Sequence, residues 1–340
     1  MEHALICPQC NAPLSPPRFA RQVTCPYCGT TVQLDEASVS AALFRQAYRA
    51  WNSPASYAFQ TWLSIGDRHW AVEKLIAAGD VADVYTGRLA RWPTELALIK
   101  MLRDPKDAAL FDNEWEALHA LQESEARGAA TFTRLLPQPI LHGDVTAGAF
   151  AGRRASIFRW ASGFYHTFED VIRAYPQGIP PRAAVWVWRR ILEALAFIHA
   201  SGLAHAALLP AHLVVQENEH GVRLVGFGLA GKLGEALPSS EVPHSAEPYY
   251  PARQLAGLKR TPDLDLIMSA RCIAALLGGD PMSAGLPDAV PAPLADVVRR
   301  VARSRLGAGE RDAWAIRQEL GEIADRVFGP PQFNPILMPS

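Results

Sequence analysis

The sequence predicts an α+β protein in which a small metal-binding segment precedes an antiparallel sheet with one helix and then a mainly helical part. Three observations support this order. Four of the five cysteines form two closely spaced pairs near the start of the chain. Strand-like patterns follow one another from Trp70 to Met101, and a helical pattern comes next. A long amphipathic helix is predicted from about Arg182 to Ala200, with further apolar helical stretches after it.

Composition is that of an ordinary soluble globular protein, with 340 residues, 49% hydrophobic and 20% charged. The net charge of −1 does not favour nucleic acid as a partner. The sequence shows no signal-peptide pattern and no apolar run long enough to span a bilayer. We therefore expect a cytoplasmic protein without membrane contact, whose clustered cysteines bind metal rather than form disulfides.

The N-terminal cysteines form the pairs Cys7-Pro-Gln-Cys10 and Cys25-Pro-Tyr-Cys28, with fourteen residues between them. Each pair can turn two thiolates towards one ion, and two pairs complete the tetrahedral sulfur shell that zinc prefers. The pattern over residues 1–35 resembles a zinc ribbon. Because four protein ligands close the shell, we expect a structural zinc ion rather than a catalytic one.

The remaining parts outside the main domain carry less information. Residues 36–69 are predicted to form a helical connector, and the proline-rich tail, residues 329–340, is expected to lie extended. Arg18 and Arg21 are the only strong cations of the ribbon, which favours protein contact over nucleic acid. Cys272 lies on an apolar helical stretch and is expected in the core.

The first half of the main domain follows a strand-rich order. Strands are predicted at Trp70–Ile76, Asp83–Arg88 and Glu95–Met101, with a turn at Gly79 between the first two. A helix is predicted from about Asp107 to Leu121, because its apolar residues recur at steps of three and four.

This order resembles the N-lobe of a protein kinase. The third strand ends in Ala-Leu-Ile-Lys at Lys100, and the helix carries Glu114. The resemblance implies an ion pair between Lys100 and Glu114, and a glycine-rich loop of which only Gly79 remains. Ala77 and Ala82 replace the other glycines. Gly79, Lys100 and Glu114 are thus the candidate nucleotide-binding residues.

The second half also resembles a protein kinase in its order. His199–Val215 is similar to the catalytic loop, and Val222–Ala230 stands where the family has its metal-binding Asp-Phe-Gly segment. Asp265 opens an apolar helix and corresponds to a structural aspartate of the family. The resemblance covers residues 70–328 and implies a two-lobed protein-kinase-like fold with a mainly helical C-lobe. The face of the long helix expected to be buried carries Trp188, Ile191, Leu192, Leu195 and Ile198.

The sequence departs from the family at its chemical residues. His205 remains and is expected to support the loop, but Ala207 stands at the catalytic aspartate. His212 replaces the metal-binding asparagine, and Gly226 replaces the aspartate of Asp-Phe-Gly. None of these side chains suits Mg²⁺, so Mg²⁺ is not expected to bind. Loss of a positioned base alone slows a reaction by about 10²–10⁴-fold. With the base and the metal ligands both replaced, the chain resembles a bacterial-type pseudokinase.

These observations predict a catalytically impaired, regulatory or scaffolding protein that contacts protein partners. One alternative is an atypical ATP-using transferase, either a kinase or a nucleotidyl transferase, that retains Lys100 and Glu114. In such an enzyme, Lys100 contacts the nucleotide phosphates, and it would do the same in a nucleotide sensor. If no nucleotide binds, the Lys100–Glu114 pair only fixes the helix on the sheet. A second alternative, nucleic-acid binding through the zinc ribbon, is disfavoured by the even charge balance.

Overall fold

A computed structural model describes residues 5–7, 9, 12–14, 22–33, 61–91, 95–216, 221–238, 244–251, 257–307, 312–332 and 334–339. Cys10 and residues 36–60 of the predicted connector lie outside the described residues. In the described part of the chain the strands are β1 (Leu5–Ile6), β2 (Pro13–Leu14), β3 (Gln22–Thr24), β4 (Thr31–Gln33), β5 (Thr61–Ile65), β6 (Arg68–Ala78), β7 (Ala82–Leu89), β8 (Leu96–Leu102), β9 (Pro139–Asp144), β10 (Ala147–Gly148), β11 (Arg154–Arg159), β12 (Phe164–Thr167), β13 (Leu203–Ala204), β14 (Leu213–Gln216), β15 (Gly221–Leu224) and β16 (Gly231–Lys232). The α-helices of the same residues are α1 (Ala108–Gln122), α2 (Ala129–Phe132), α3 (Phe168–Ala174), α4 (Pro181–Ala200), α5 (Pro262–Leu276), α6 (Ala292–Ala302) and α7 (Ala313–Phe328).

The chain divides into two compact units. The sheet unit consists of Asp35–Glu123 and Pro137–Ala161. The helical unit consists of Met1–Leu34, Ser124–Leu136 and Ser162–Ser340, and it therefore includes the cysteine-rich segment.

The sheet unit is built on an antiparallel sheet with the strand order β10-β5-β6-β7-β8-β11-β9. Ile99 on β8 pairs with Tyr85 on β7 and Ile157 on β11, and the side chains of Ile99 and Ile157 are fully buried. Helix α1 buries Phe111 and Leu118 at helical spacing, as its periodicity predicts. The predicted strands and the helix of this region are confirmed within about two residues of their ends.

The connector prediction is wrong at its C-terminal end, where residues 61–65 form strand β5 instead of a helix. Strand β5 pairs with β6, and Leu63 lies opposite Trp70 in the register, with both side chains buried. Gly66 has a positive φ of 59° and makes the tight turn between the two strands. The Gly66-Asp67 pair was the available hairpin signal, because two-residue turns of this kind join antiparallel strands.

The helical unit is centred on α4, which packs against α5 and α7. The predicted buried face of α4 is confirmed, since Trp188, Leu192 and Leu195 have no exposed side-chain surface. Gly202 follows the end of α4 with a φ of 78°, the left-handed conformation common after helix C-termini. Small antiparallel sheets, β12-β14-β15 and β13-β16, hold the loops of this unit. None of the helices in the described residues is long and apolar enough to cross a membrane.

Candidate functional site

Lys100 and Glu114 form an ion pair within the sheet unit. Strand β8 positions Lys100, whose backbone pairs with Val84 on β7 and Ser156 on β11. Helix α1 positions Glu114, and Lys100 Nζ donates to Glu114 Oε2. The Glu114 side chain is 7% exposed and that of Lys100 is 22% exposed. The contact therefore links α1 to the sheet through a largely desolvated pair of charges.

The Gly79 turn lies between β6 and β7 and is closed by its own hydrogen bonds. The Gly79 amide donates to the Ala82 carbonyl at 3.0 Å. Arg103 Nη1 donates to the Gly79 carbonyl at 2.7 Å. A Cβ atom at position 79 would lie 3.0 Å from the Ala82 carbonyl oxygen, so the turn leaves little room for a larger residue. The polar backbone groups of Gly79 are thus already engaged inside the turn.

Asp265 on α5 organises the loop that follows α4 in the helical unit. Its carboxylate is fully buried and accepts hydrogen bonds from the backbone amides of His205 at 2.9 Å and Ala206 at 2.7 Å. His199 Nε2 donates to the same carboxylate at 2.9 Å. These donors satisfy a buried charge that would otherwise be costly. The predicted structural role of Asp265 is consistent with this geometry.

Ala206 has a left-handed backbone conformation, with a φ of 59° that non-glycine residues rarely adopt. Such a conformation persists only where the surroundings enforce it. Asp265 holds the Ala206 amide, and the Tyr250 hydroxyl donates to the Ala206 carbonyl at 2.9 Å. Burial raises the pKa of the Tyr250 hydroxyl, which therefore stays protonated and able to donate. The loop is thus fixed from both sides of this residue.

His205 is completely buried beneath the loop. Its Nε2 lies 3.0 Å from the Val225 carbonyl, and the Ala207 amide donates to its Nδ1 at 3.3 Å. The Phe227 ring lies 4.3 Å from the imidazole, centroid to centroid. These contacts join the loop to the segment after β15 and support the interpretation of His205 as a structural residue.

His212 and Gly226 are brought directly together. The His212 Nδ1 and the Ala207 carbonyl oxygen are 2.7 Å apart, so Nδ1 donates to that carbonyl. Gly226 has a φ of 77°, and a Cβ atom there would lie 2.5 Å from the His212 ring. Any side chain at position 226 would therefore displace the ring. Ala207, His212 and Gly226 offer no side-chain oxygen, so these residues do not fit Mg²⁺.

Three of the four predicted zinc ligands meet in the described residues. The Sγ atoms of Cys7, Cys25 and Cys28 all lie within 4.8 Å of one another, and all three side chains are buried. The Cys7 and Cys28 sulfurs are 3.6 Å apart. Zinc–sulfur bonds of about 2.3 Å in a tetrahedron place sulfurs about 3.8 Å apart. Cys10 lies outside the described residues, so its predicted place in the shell stays a prediction.

The backbone around these cysteines has the turns that a metal knuckle needs. The Gly29 amide donates to the Cys25 carbonyl at 2.9 Å, and the Cys25 amide donates to the Thr30 carbonyl at 2.8 Å. Gly29, directly after the second pair, has a φ of 75°, a left-handed conformation that glycine adopts readily in a tight turn. The donor set and its geometry therefore fit zinc, which would serve as a structural cross-link there.

Cys272 is fully buried on α5, and its Sγ lies 3.4 Å from the Leu208 carbonyl. Burial raises the pKa of its thiol, which opposes formation of a reactive thiolate. The expected core position of Cys272 is confirmed.

Sequence reasoning missed residues that matter for these sites: Trp186, His199 and Tyr250. Trp186 belongs to the same buried cluster as the three cysteines. The sequence evidence for the burial of Trp186 was weak, because this residue stands outside the predicted buried face of α4. The partnership of His199 with Asp265 spans 66 residues of sequence and has no local pattern.

Comparisons with known proteins agree with this architecture. No protein-family model matches the chain. A solved structure of the BubR1 kinase domain superimposes with a TM-score of 0.58 at 15% identity, over 78% of this chain and 83% of that one. The maternal embryonic leucine zipper kinase of Danio rerio is 35% identical over 68 residues, which is 20% of this chain. The match spans only 10% of that relative's length. The chain therefore has a protein-kinase-like α+β fold, with a sheet unit and a mainly helical unit.

Proposed function

We propose that this chain is a catalytically impaired kinase-like protein that acts as a regulatory or scaffolding protein through contacts with protein partners. The observation that carries the proposal is the packing of His212 against Gly226 beside Ala207. Phosphoryl transfer needs a carboxylate that acts as a base near the acceptor hydroxyl, and oxygen ligands for the metal ions. The corresponding positions hold Ala207, His212 and Gly226. The His212 ring is hydrogen-bonded to the Ala207 carbonyl.

Neither of the two segments that carry these positions supplies a replacement acid. The segments His199–Val215 and Val222–Leu233 contain no aspartate or glutamate. Asp265 is near in space, but it is fully buried and its oxygens accept bonds from the loop backbone. Its charge therefore serves the loop conformation, which supports the assignment of a platform rather than a catalyst.

Loss of catalysis is tested by incubating the full chain with γ-labelled ATP, Mg²⁺ or Mn²⁺ and generic protein acceptors. Three proteins are compared: wild type, Lys100→Met and the exposed-lysine control Lys259→Met. We expect equal background labelling in all three. Transfer by wild type and Lys259→Met that is lost in Lys100→Met would show an active enzyme and overturn the proposal.

The scaffolding role is tested by affinity purification of the tagged chain from its own cells, followed by binding measurements with the recombinant partner. We expect a defined partner whose Kd is unaffected by Lys100→Met and by ATP. If no partner is retained, and deletion of the gene causes no change in the cell, the scaffolding role is wrong.

A second candidate function, an ATP-using transferase or a nucleotide sensor, is favoured by the Lys100–Glu114 ion pair. In this case Lys100 contributes to phosphate binding. Isothermal titration calorimetry with ATP, with and without Mg²⁺, tests it directly. Binding to wild type and Lys259→Met that is absent in Lys100→Met supports this candidate. Absence of heat with all three proteins argues against it.

A further inference from the structure

Trp186 on α4 is covered by the cysteine-rich segment. It is 8% exposed and belongs to a buried cluster with Cys7, Leu14, Cys25 and Cys28. At 3.6 residues per turn, Trp186 points about 180° away from Leu195, which lies on the face that α4 buries in the helical core. The helical core therefore does not bury Trp186, and the cysteine-rich segment packs against it instead.

The turn after the second cysteine pair also lies against the segment that follows α7. A Cβ atom on Gly29 would lie 3.3 Å from the Pro331 carbonyl oxygen. Arg182, in the first turn of α4, donates to Gln332 Oε1 at 2.7 Å and also to the Phe328 carbonyl. The start of α4, the end of α7 and the cysteine segment thus form one contiguous contact region.

The charges at this contact suit a metal–thiolate cluster. The Arg189 and Arg190 guanidinium carbons lie 5.6 Å and 5.8 Å from the centre of the Trp186 ring. Arg189 Nε is buried without a hydrogen-bond partner in the described part of the chain. Burial, followed by the nearby positive charge of Arg317, lowers the pKa of Arg189. Glu193 already pairs with Arg190 at 2.7 Å and with Arg317 at 2.9 Å. Zinc with four thiolates has a net charge of about −2, which would offset the positive charge of Arg189.

We propose that the cysteine ribbon is docked in cis, with its cysteine face held on Trp186, so that zinc binding stabilises α4 and the segment after α7. The occupant of this helix face is the chain's own N-terminal segment. The inference rests on the zinc assignment and goes beyond the proposed scaffolding role. Among the described residues of the ribbon, the tip of the second pair stays accessible to another protein, since Tyr27 there is 65% exposed.

Thermodynamic linkage gives this proposal a measurable consequence. If zinc favours the docked state, docking must tighten zinc binding by the same factor. Coupling of this kind between sites changes affinity by about 5- to 150-fold. Loss of the docking contact should therefore weaken zinc binding even though every cysteine is still present.

The first test measures the zinc Kd of the full chain by competition with a chromophoric chelator under reducing conditions. It compares wild type with Trp186→Ala and with Trp314→Ala, a matched tryptophan on α7 that is 42% exposed. We expect Trp186→Ala to weaken zinc binding at least fivefold, Trp186→Phe to restore part of it, and Trp314→Ala to leave it unchanged. Equal affinities of folded Trp186→Ala and wild type would overturn cis docking.

The second test needs no substitution and covers the case in which Trp186→Ala does not fold. Hydrogen exchange of the wild-type chain is compared before and after zinc removal. We expect faster exchange in residues 181–190 and 324–332, with no change in α5. If zinc leaves and only residues 1–35 exchange faster, the docking inference is wrong. If the purified chain binds no zinc at all, the zinc assignment itself fails, while the scaffolding role stands.

Discussion

The sheet unit and the helical unit differ in the groups that compensate their buried charges. In the sheet unit, Lys100 and Glu114 neutralise each other through an ion pair. In the helical unit, Asp265 accepts bonds from backbone amides and from His199. The first arrangement depends on two side chains, whereas the second depends mainly on the backbone of the loop.

Under the proposal that catalysis is lost, this difference explains how the loop keeps its shape. Amides donate to Asp265 whatever side chains they belong to, so Ala207 can replace an acid without loss of the framework. The ion pair in the sheet unit tolerates substitution less well, because replacing either residue removes the opposite charge from a largely buried side chain. A kinase-like conformation is therefore compatible with the loss of the groups that catalysis requires.

The largest effect is expected when the framework of the helical unit is broken. Asp265→Ala removes the carboxylate that accepts from the buried His205 and Ala206 amides, and with it one of the two restraints on the left-handed Ala206. We expect a loss of about 3–5 kcal/mol in the free energy of unfolding, measured by urea denaturation. The exposed Asp296→Ala serves as the control and should change stability by less than about 0.5 kcal/mol. Equal free energies of unfolding for the two variants would show that Asp265 does not stabilise the loop.

A smaller loss is expected from the ion pair in the sheet unit. Lys100→Met removes the cation that faces the buried Glu114 carboxylate, and we expect a destabilisation of about 2–3 kcal/mol, reduced by the partial exposure of Lys100. The double variant Lys100→Met/Glu114→Gln should recover part of this loss, because no buried charge remains. Urea denaturation of the full double-mutant cycle measures the coupling. Strictly additive losses would show that the pair contributes no interaction energy.

The next effect separates backbone strain from steric exclusion in the loop region. Gly226→Ala places a methyl group 2.5 Å from the His212 ring, whereas Gly202→Ala, at nearly the same φ, meets nothing within 4 Å. We expect Gly226→Ala to lose about 1–2 kcal/mol more than Gly202→Ala in thermal or urea unfolding. Adding His212→Ala should remove that excess. Equal losses in the free energy of unfolding for Gly226→Ala and Gly202→Ala would show that the His212 ring moves aside without cost.

The smallest effect concerns pH and the sheet unit. His142 lies between Asp112, 3.1 Å from its Nε2, and Ser156, 2.8 Å from its Nδ1. Burial lowers the pKa of His142 below its ordinary value of 6.5. The unfolded chain then binds a proton more readily, so stability should fall as pH drops below about 6.5. We expect His142→Gln, but not His119→Gln on the exposed side of α1, to flatten this dependence in urea titrations between pH 5 and pH 8. Identical slopes in both variants would contradict the prediction.

The amino-acid sequence by itself determined the order and type of the main elements. Hydrophobic periodicity is a local property, and it predicted β8, α1 and α4 close to their observed ends. Spacing also indicated that Cys7, Cys25 and Cys28 would meet, since two closely spaced pairs can turn their thiolates towards one ion. The pairing of Lys100 with Glu114 was implied by the resemblance of this strand and helix to the N-lobe of a protein kinase.

Only the tertiary structure decided which distant side chains satisfy one another. It extended the sheet to β5, joined His199 and Tyr250 to the loop, set His212 against Gly226 and covered Trp186 with the cysteine segment. These contacts join residues far apart in sequence, and each depends on how whole elements pack. Local patterns carry no information on such packing, because the same periodicity is compatible with many partners.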